Sequence, residues 1–539
     1  MNKFKKFLSE LDNSPNVIHM TVDQLALEAY PFGRQTTFGS LSFYSNVRSR
    51  SANQSVVIGS EKVQEKNPSS GQKRILANLE TTIKTVQQYI KRAPFVRVHR
   101  TIGDNKDFNP KCTLYLSTQR RDNIRQAYLW ASTLRDYAVD APGPQLSLIC
   151  IPEWPEHDRQ VLVFPEDGFT IVLGMDYVGE VKMGFLRMAM WWAKQSGLLS
   201  LHAGSKIITA STKNYGIKRY GMLLFGLSGT GKTTHSCHNH GLTGDGEGVE
   251  ILQDDIVFLK EDGSAMGTEQ GFYLKTEGVR QENQPIILKG LSRPDILFEN
   301  VMMDADGKVE MNDLTLGSNG RAVMPREALS PHISKDINLP PLDNLDGLII
   351  SFVTRRMTVL PIVSRMNPEQ AAAAFMLGES VETSAGDPKR AGESVRVVGT
   401  NPFLIGEEVD EAKWFYNFLK KHGEKVQCYT LNTGGVGEIM EKDSQGNRVV
   451  KQKSHRVSIP EMASLIGGIA KDTIQWTQES HFGSEVPAKL EGLDLEKFNL
   501  TNFYDSRAIK RYVGDLKAQR KEWLSQFPTL PREIVESLV

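Results

Sequence analysis

A short glycine-rich segment constrains this chain more than any other feature. Residues 226–234 read Gly-Leu-Ser-Gly-Thr-Gly-Lys-Thr-Thr, and the apolar run Met222–Phe225 leads directly into them. This order predicts a strand, a tight turn and the start of a helix. Glycines there let backbone N–H groups converge on phosphate oxygens, and the helix dipole favours the same negative charge. The segment therefore predicts a phosphate-binding loop (P-loop) for a nucleoside triphosphate, formed by Gly226, Leu227, Ser228, Gly229, Thr230, Gly231, Lys232, Thr233 and Thr234.

Two side chains of this loop have a predicted task. Lys232 stands where a P-loop lysine reaches the outer phosphates. Thr233 follows it, where a hydroxyl holds the divalent cation that accompanies the nucleotide.

Length and charge set only broad limits on what the chain does. A chain of 539 residues suggests about two to four domains. The 64 Lys and Arg residues equal the 64 Asp and Glu residues in number. No overall field therefore points to nucleic acid or to an anionic membrane as a partner, and no apolar run is long enough to span a bilayer. Partners have to be inferred from local motifs, and the oligomeric state stays open.

The cysteines indicate a reducing compartment. Cys112, Cys150, Cys237 and Cys428 lie far apart and form no Cys-x-x-Cys pair, so neither a disulfide framework nor a zinc knuckle is expected. Acidic and polar residues follow the first lysines where a signal peptide needs an apolar stretch. A cytoplasmic location is the expectation.

Apolar periodicity predicts an α/β chain, because helical and strand-like patterns are mixed throughout. Trp191 and Trp192 recur at helical spacing and are expected in the core. An Asn-Pro pair opens one predicted helix, and Gly423 ends another. The clearest predicted elements are helices at 183–199, from 367 onward and at 410–422, and a buried strand at 425–431.

Turn-forming residues mark the predicted connections. Ser, Gly, Asn, Pro and charged residues gather at 59–73, which predicts an exposed loop. The Asp-Gly pairs at 262–263 and 306–307 lie between short alternating runs and predict hairpin turns. Asp304 and Asp306 lack the spacing of a calcium loop, so the turn interpretation is preferred there.

A histidine- and cysteine-rich run follows the P-loop. His235, Cys237, His238 and His240 carry imidazole and thiolate groups, which are common metal ligands. On the helix after the loop, however, their spacing scatters them around the surface. A structural role is therefore favoured over a metal site.

A pair of carboxylates gives a stronger signal. The stretch Glu250–Gln253 leads into Asp254-Asp255, downstream of the P-loop. Carboxylates in such a place can hold the metal that bridges nucleotide phosphates. A helix cap or a turn is the alternative.

Together these motifs resemble one family, the ATP-type phosphoenolpyruvate carboxykinases, and the P-loop differs from that of the GTP type. The similarity is good from about residue 170 to residue 470 and weak over the first 150 residues. It is carried by the P-loop and by Gly174–Glu180, Ser200–Ala203, Asp254-Asp255, Glu269–Thr276, Glu299–Val301, Arg321 with Pro325, Val359–Arg365, Asn432–Gly434 and Arg456–Ile459.

The resemblance implies a reaction with small-molecule substrates and no nucleic-acid or membrane partner. Oxaloacetate and ATP give phosphoenolpyruvate, carbon dioxide and ADP, in gluconeogenesis or anaplerosis. Decarboxylation leaves an enolate whose oxygen attacks the γ-phosphate, so the site must neutralise charge on both groups. The resemblance also implies Mg²⁺ on the nucleotide and a second ion, typically Mn²⁺, that bridges nucleotide and substrate.

By the same resemblance, His202 and Asp255 bind the bridging metal, while Thr233 and the phosphates hold Mg²⁺. Taken alone, a histidine after an apolar run is more typical of a core histidine. Arg321 would stabilise the transferring phosphoryl group, since its planar fork matches phosphate oxygens. The other implied site residues are Tyr177 in the substrate and carbon dioxide pocket, Arg456 and Ile459 beside the adenine, and Lys182, Lys232 and Asp254 in catalysis.

Two positions depart from the family pattern. The family's substrate motif reads Gly-Arg-Ser-Pro-Lys-Asp-Lys, whereas residues 49–55 read Ser-Arg-Ser-Ala-Asn-Gln-Ser, which leaves Arg50 to bind the substrate carboxylate. In the family's Gly-Glu-x-Lys-Lys-Gly the second lysine is a metal ligand, and Met183 stands there in this chain. A thioether is a poor ligand for Mn²⁺. Either Lys182 is re-aimed by a local backbone change or water fills the position, and weakened metal affinity is expected.

The expected fold is a two-lobed, phosphoenolpyruvate-carboxykinase-like α/β fold with the active site in the cleft. Residues 1–215 would form the substrate-binding domain and residues 216–539 the P-loop mononucleotide-binding domain. A lid is expected to close, because water would protonate the enolate and hydrolyse ATP.

Two other functions are kept open. A P-loop kinase of the same fold could phosphorylate a different small acid or a protein hydroxyl without decarboxylation, which Met183 and the altered segment around Arg50 would permit. A catalytically silent nucleotide sensor is the other alternative, against which the intact Lys232 and Asp255 argue. Release of carbon dioxide separates the carboxykinase from the kinase.

Overall fold

The computed structural model describes residues 2–47, 54–65, 67–155, 159–227, 229–317, 319–381, 393–442 and 448–538. Two residues predicted to lie in the site, Arg50 and Ser228, fall outside these ranges.

Helices of very different length alternate with strands along the chain. They are α1 (Asn2–Asp12), α2 (Val22–Ala29), α3 (Ser70–Ala77), α4 (Leu79–Ile90), α5 (Ile124–Ala131), α6 (Val178–Gln195), α7 (Lys232–Ser236), α8 (Pro285–Leu291), α9 (Pro368–Leu377), α10 (Glu408–His422), α11 (Ile459–Ala470), α12 (Ser506–Leu524) and α13 (Arg532–Glu536). None of the helices in the described ranges is long and apolar enough to cross a membrane.

The strands of the described residues fall into three larger sheets and several two-stranded sheets. They are β1 (Val17–His19), β2 (Arg34–Gln35), β3 (Leu41–Phe43), β4 (Ser55–Val57), β5 (Phe95–Thr101), β6 (Lys111–Ser117), β7 (Gln145–Ile151), β8 (Gln160–Phe164), β9 (Phe169–Leu173), β10 (Leu199–Thr212), β11 (Gly216–Gly226), β12 (Gly248–Gln253), β13 (Ile256–Leu259), β14 (Ala265–Gly267), β15 (Gly271–Lys275), β16 (Leu297–Glu299), β17 (Met302–Met303), β18 (Val309–Glu310), β19 (Arg321–Pro325), β20 (Gly347–Thr354), β21 (Val363–Met366), β22 (Glu379–Val381), β23 (Ser394–Arg396), β24 (Val426–Asn432), β25 (Gly435–Val436), β26 (Ile439–Lys442), β27 (Arg448–Gln452), β28 (His455–Arg456), β29 (Gln475–Gln478) and β30 (Glu485–Lys489).

The first sheet is built from the N-terminal third of the chain. Its seven strands run in the order β1-β5-β6-β7-β9-β8-β4 and mix parallel and antiparallel pairs. Strands β6 to β9 are buried along almost their whole length, so their apolar residues form near-continuous runs rather than alternating with polar ones.

The second sheet carries the P-loop. Its main path is β14-β13-β10-β11-β20-β24-β21-β30-β29, and β12 pairs with β10. The central strands β11, β20 and β24 are parallel neighbours. The predicted domain boundary at residue 215 falls in the turn between β10 and β11, which form an antiparallel pair.

A smaller third sheet joins distant parts of the chain. Its order is β15-β19-β16-β3-β2. Strands β2 and β3 come from the first fifty residues, whereas the other three lie after the P-loop. The mixed α/β class is therefore confirmed, with three larger sheets among the described residues.

Several predicted elements are confirmed. Asn367 caps α9 through a reciprocal pair of hydrogen bonds with Gln370, and Gly378 ends it in the left-handed region at φ 43°. Helix α10 ends at Gly423, and β24 is the predicted buried strand. Both Asp-Gly pairs lie in antiparallel hairpins, β13–β14 and β17–β18.

Two boundaries differ from prediction. The loop predicted at 59–73 ends early, because Ser69 forms a capping box with Gln72 and α3 begins at Ser70. The helix predicted at 183–199 begins five residues earlier, at Val178, and Leu199 already belongs to β10. Its first turn is as buried as its middle, so tertiary packing extends the helix beyond its apolar repeat.

The histidine run after the P-loop surrounds a buried lysine. Lys206 Nζ contacts the carbonyl oxygens of His235 and His238 and the imidazole of His240. The side chains are thus not scattered over a helix surface, since α7 ends at Ser236. No group of three or more His, Cys, Asp or Glu side chains within the described ranges is placed to hold a metal.

Candidate active site

The P-loop has the geometry that its glycines predict. Strand β11 ends at Gly226, and α7 begins at Lys232. Between them Gly229 and Gly231 have φ values of 81° and 104°. Side chains are strained in this left-handed region, so only glycine fits the turn without cost.

Contacts from elsewhere in the chain hold the loop in place. Thr230 Oγ1 donates to the carbonyl oxygen of Leu227 at 2.8 Å. Arg355 Nη1 donates to the carbonyl oxygen of Gly229 at 3.1 Å, and Thr433 donates to that of Thr230. The loop is therefore fixed by residues that follow β20, the parallel neighbour of β11, and β24, the next parallel strand in the sheet.

Paired carboxylates lie directly beside the P-loop, just after β12. Thr233 Oγ1 donates to Asp254 Oδ2 at 2.5 Å. Lys232 Nζ lies 3.2 Å from Asp255 Oδ1 and 3.9 Å from Asp254 Oδ1. Asp255 has a φ of 129°, a strained value for a residue with a side chain. The turn places both carboxylates against the helix start.

Asp255 is the centre of a cluster of cations. Burial by itself raises its pKa, but Lys182 and Lys232 outweigh burial, and with His202 they hold the pKa well below its ordinary value. The carboxylate therefore stays ionised at neutral pH, as a metal ligand must be.

His202 is oriented for the same centre. Its Nε2 atom lies 3.0 Å from Asp255 Oδ1, and its Nδ1 atom lies 2.9 Å from the carbonyl oxygen of Thr400. Phe403 packs edge-on against the ring. Burial first, and then Lys232, lower the pKa of His202. A neutral ring whose Nδ1–H donates to Thr400 presents an Nε2 lone pair, which is the form that binds metals.

Lys182 reaches Asp255 from the regular helix α6. Its Nζ atom pairs with Asp255 Oδ2 and lies 3.1 Å from Glu269 Oε2. Burial opposes its charge, yet the two carboxylates raise the pKa of Lys182. Met183 lines the same cavity. No backbone change in α6 is needed for this reach, because the helix runs unbroken from Val178.

Tyr177, Tyr273 and Arg321 also line the cavity, and Asn319 behind them holds two of these side chains. Asn319 donates to the Tyr177 hydroxyl at 3.1 Å and accepts from Arg321 Nε and Nη2 at 3.1 and 2.8 Å. The Arg321 guanidinium also lies over the ring of Tyr273 at 5.5 Å. A Cβ at Gly179 would overlap the Tyr177 ring, so this glycine makes room for the tyrosine.

Most of these groups line one cavity of about 570 Å³. Gly226 and Thr230 lie in the loop without lining it. The predicted site residues on the cavity wall are Tyr177, Lys182, His202, Leu227, Gly229, Gly231, Lys232, Thr233, Thr234, Asp254, Asp255, Arg321, Arg456 and Ile459.

Sequence reasoning did not assign roles to several residues of this site. Glu269 holds Lys182, Asn319 holds Arg321, Arg355 holds the loop, and Thr400 orients His202. Glu269 stood in a recognised segment, and Arg355 directly follows β20, so local signals existed for these two. Thr400 acts through its backbone carbonyl, which no residue pattern reveals.

A P-loop beside paired carboxylates, with a histidine, lysines and an arginine in one cavity, defines the class of enzymes that transfer phosphoryl groups from nucleotides. A family model described as phosphoenolpyruvate carboxykinase matches residues 15–496. The chain belongs to the ATP-dependent phosphoenolpyruvate carboxykinase family. The match also covers most of the first 150 residues, where the motifs alone gave only a weak resemblance.

Individual relatives carry the same description. The phosphoenolpyruvate carboxykinase (ATP) of Aeropyrum pernix is 35% identical over 377 residues, 69% of this chain and 70% of that protein. Those of Bacillus mycoides and Christiangramia forsetii are each 28% identical, over 381 and 355 residues. These matches cover 70% and 65% of this chain, and 66% and 60% of the respective relatives, slightly less than two thirds of their length.

Proposed function

We propose that the cavity around Asp255 carries out the reaction of the family, in which oxaloacetate and ATP give phosphoenolpyruvate, carbon dioxide and ADP. The observation that supports this is the convergence of Lys182, Lys232 and His202 on one carboxylate beside the P-loop. Binding a nucleotide alone does not require a buried charge cluster of this kind. A site that must neutralise both enolate and phosphoryl charge does require one.

The donor atoms fit two divalent cations. His202 Nε2 and Asp255 would hold a second divalent cation, with Mn²⁺ as its proposed identity, because imidazole and carboxylate suit this ion. Thr233 and Asp254, whose side chains are 2.5 Å apart, are assigned to the Mg²⁺ of the nucleotide. When bound, the cations neutralise charge on the phosphates and on the enolate oxygen.

Three basic side chains stabilise the negative charges that take part in phosphoryl transfer. Lys232 contacts the outer phosphates from the P-loop. Arg321, its orientation fixed by Asn319, binds the transferring phosphoryl group with its planar fork. Lys182 stays an ammonium between Asp255 and Glu269 and stabilises the developing enolate.

The substrate lies on the Tyr177 side of the cavity. Tyr177 is held by Asn319 and borders the space for oxaloacetate and carbon dioxide. Arg50, outside the described residues, is assigned to a substrate carboxylate. Val47, shortly before it, donates its backbone N–H to Asp176 Oδ1 at 2.9 Å, directly beside Tyr177 in the chain.

The nucleotide base lies at the other end. Arg456 and Ile459 line the cavity beyond the P-loop and are assigned to the adenine. The N-terminal 215 residues then act as the substrate-binding domain and the rest as the nucleotide-binding domain. A cytoplasmic location agrees with four cysteines that are all buried and free.

The test is an assay in the carboxylating direction. The purified protein is incubated with phosphoenolpyruvate, bicarbonate, ADP, Mg²⁺ and Mn²⁺. Oxaloacetate formation is measured in a coupled assay with malate dehydrogenase. We expect turnover that Lys232→Ala lowers by about a hundredfold or more, because a preorganised charge on the phosphates is lost. Lys510→Ala, on an exposed face of α12, is the matched control and should keep full activity.

Two results would count against the proposal. Equal turnover in both lysine variants would place the reaction outside the P-loop cavity. Tight ATP binding without any oxaloacetate formation would instead favour a kinase of the same fold with another acceptor.

A further inference from the structure

A second cavity lies apart from the P-loop cavity and shares no lining residue with it. Its volume is about 420 Å³, within the range of small-molecule sites. It lies where the end of α5 meets the segments around β15 and β19. Its walls are formed by Ser132, Arg135, Gln270, Pro325, Arg326, Glu327, Ile333, Ser334 and Lys335.

A buried guanidinium forms part of this wall. Arg326 is only 6% exposed. Its Nη1 atom donates to the carbonyl oxygen of Leu252, and its Nη2 atom donates to those of Ser334 and Asp336 at 2.8 and 3.2 Å. Within the described ranges it forms no ion pair with a carboxylate. All its hydrogen-bond partners are neutral carbonyls, and the carboxylates of Glu327 and Asp336 offset its positive charge only through space, without a hydrogen bond.

The charge of Arg326 persists at neutral pH. Burial lowers the pKa of Arg326 to about 10, which still leaves the group protonated. A buried cation that a second guanidinium, Arg135, repels is costly even with Glu327 and Asp336 nearby, and an anion in the cavity would lower that cost. The wall of the cavity is the direction from which such an anion can approach.

Further donors line the same space. Arg135 lies 2.6 Å from Asp104 through Nη1 and is still about one-third exposed. Lys335 is exposed and, among the described residues, has no ion-pair partner. The side-chain amide of Gln270 likewise has no hydrogen-bond partner there. Glu327 is the single carboxylate on the wall, against three cations.

We propose that this cavity binds a small oxyanion with two negative charges, of the phosphate or dicarboxylate kind. Arg135, Lys335 and Gln270 are its direct ligands, and Arg326 supplies the buried charge behind them. Both anions share the chemistry that guanidinium and ammonium groups recognise. The cavity lies between the segment that follows α5 and the segments that follow β14 and β19, so the anion would contact parts of the chain that are distant in sequence.

The site is tested by calorimetry on the full chain, first saturated with Mg²⁺ and ATP so that the P-loop is occupied. Inorganic phosphate and succinate are titrated separately. Arg135→Gln and Lys335→Gln each remove one charge at the cavity, and Lys510→Gln removes one from the exposed face of α12 as the control. Thermal unfolding of each variant checks that the fold is kept.

We expect binding of at least one anion that each cavity variant weakens about tenfold, the effect of one charged hydrogen bond, while the control leaves it unchanged. Tighter binding of phosphate would identify a phosphate-bearing ligand, and tighter binding of succinate would identify a dicarboxylate. Absence of binding for both anions would overturn the proposal. So would binding that survives both cavity substitutions, because the anion would then sit elsewhere, and neither result bears on the carboxykinase assay.

Discussion

Met183 and Lys182 decide which ligands the proposed metal site can offer. Lys182 contacts Asp255 and Glu269, so its amine is held as an ammonium and its lone pair is not free. Met183 lines the cavity beside it with a thioether, which binds hard cations poorly. In the proposed site, the protein would therefore offer the second cation one imidazole and one carboxylate, and water would supply its other ligands.

Restoring a lysine at this position should strengthen the metal site. We expect Met183→Lys to bind Mn²⁺ about tenfold more tightly, since an added amine ligand replaces water. Electron paramagnetic resonance of free Mn²⁺ in the presence of ATP measures the affinity. Met183→Leu keeps the apolar volume and should leave affinity unchanged. A clear loss in the leucine variant would show that the thioether is itself a ligand.

At the scale of elements, strand β10 packs its backbone closely against the P-loop helix beside His202, the proposed metal ligand. It carries His202 and, two residues later, Gly204. A Cβ at Gly204 would lie only 2.0 Å from Ser236 Oγ and 2.9 Å from Asp254 Oδ1. Only a glycine there lets β10 approach both α7 and the carboxylates so closely.

Adding a Cβ at Gly204 should lower both the stability of the protein and its affinity for Mn²⁺. We expect Gly204→Ala to lower the free energy of unfolding by about 1–3 kcal/mol, the usual cost of overpacking. Urea unfolding measures it, with Mn²⁺ affinity as a second readout. Gly248→Ala on β12 is the control, because a Cβ there meets nothing within 4 Å. Equal effects of the two substitutions would contradict the close-approach argument.

The C-terminal helix α12 is docked through a buried carboxylate. Arg520 contacts Glu379 through Nε at 3.2 Å and Nη2 at 3.1 Å. Arg396 and Arg356 lie 3.0 and 3.6 Å from the same group. Burial by itself raises the pKa of Glu379, but the three guanidiniums outweigh it and hold the pKa well below its ordinary value.

This depressed pKa predicts acid sensitivity. Since the folded-state pKa is the lower one, Glu379 contributes stability above its ordinary pKa, and that contribution is lost as the pH falls below it. We expect Glu379→Gln to cost about 3–5 kcal/mol at neutral pH, because it leaves buried arginines unpaired. Urea unfolding followed from neutral pH to about pH 3 should show the gap to the parent protein narrowing with acid. A gap independent of pH would refute the assignment.

At the scale of the whole molecule, one arginine ties the first sheet to the third. Arg125 of α5 is 2% exposed and lies 2.8 Å from Asp176 Oδ2 and 3.8 Å from Glu299 Oε1. Asp176 also accepts the backbone N–H groups of Asn46 and Val47. Glu299 accepts from the Tyr273 hydroxyl at 2.7 Å. The network thus joins Tyr273, which lines the P-loop cavity, to both sheets.

Removal of this arginine should damage both fold and catalysis. We expect Arg125→Met to destabilise the protein by about 3–5 kcal/mol, since two buried carboxylates lose their cation. Chemical unfolding and the oxaloacetate assay check the two effects. Arg120→Met removes an exposed ion pair with Asp122 and should cost less than about 1 kcal/mol. A similar small cost at Arg125 would show that the network is not structural.

Local signals in the sequence predicted much of this molecule. The P-loop follows from its glycines, the start of α9 from the Asn-Pro pair, the end of α10 from Gly423, and the hairpins from Asp-Gly pairs. Each depends on residues within one turn of each other, where backbone sterics and nearby hydrogen bonds decide the outcome. The family resemblance added the reaction and candidate residues, but not their geometry.

The sequence by itself determined the phosphate-binding loop, the α/β class and the family; only the tertiary structure decided how the site is assembled. His202 meets Asp255 across 53 residues, Lys182 meets it across 73, and Thr400 orients His202 across 198. No local preference links such positions, because their approach depends on how whole sheets and helices pack. The charge of Lys182 and the orientation of His202 are therefore properties of the fold. They arise only when folding brings these distant residues together around Asp255.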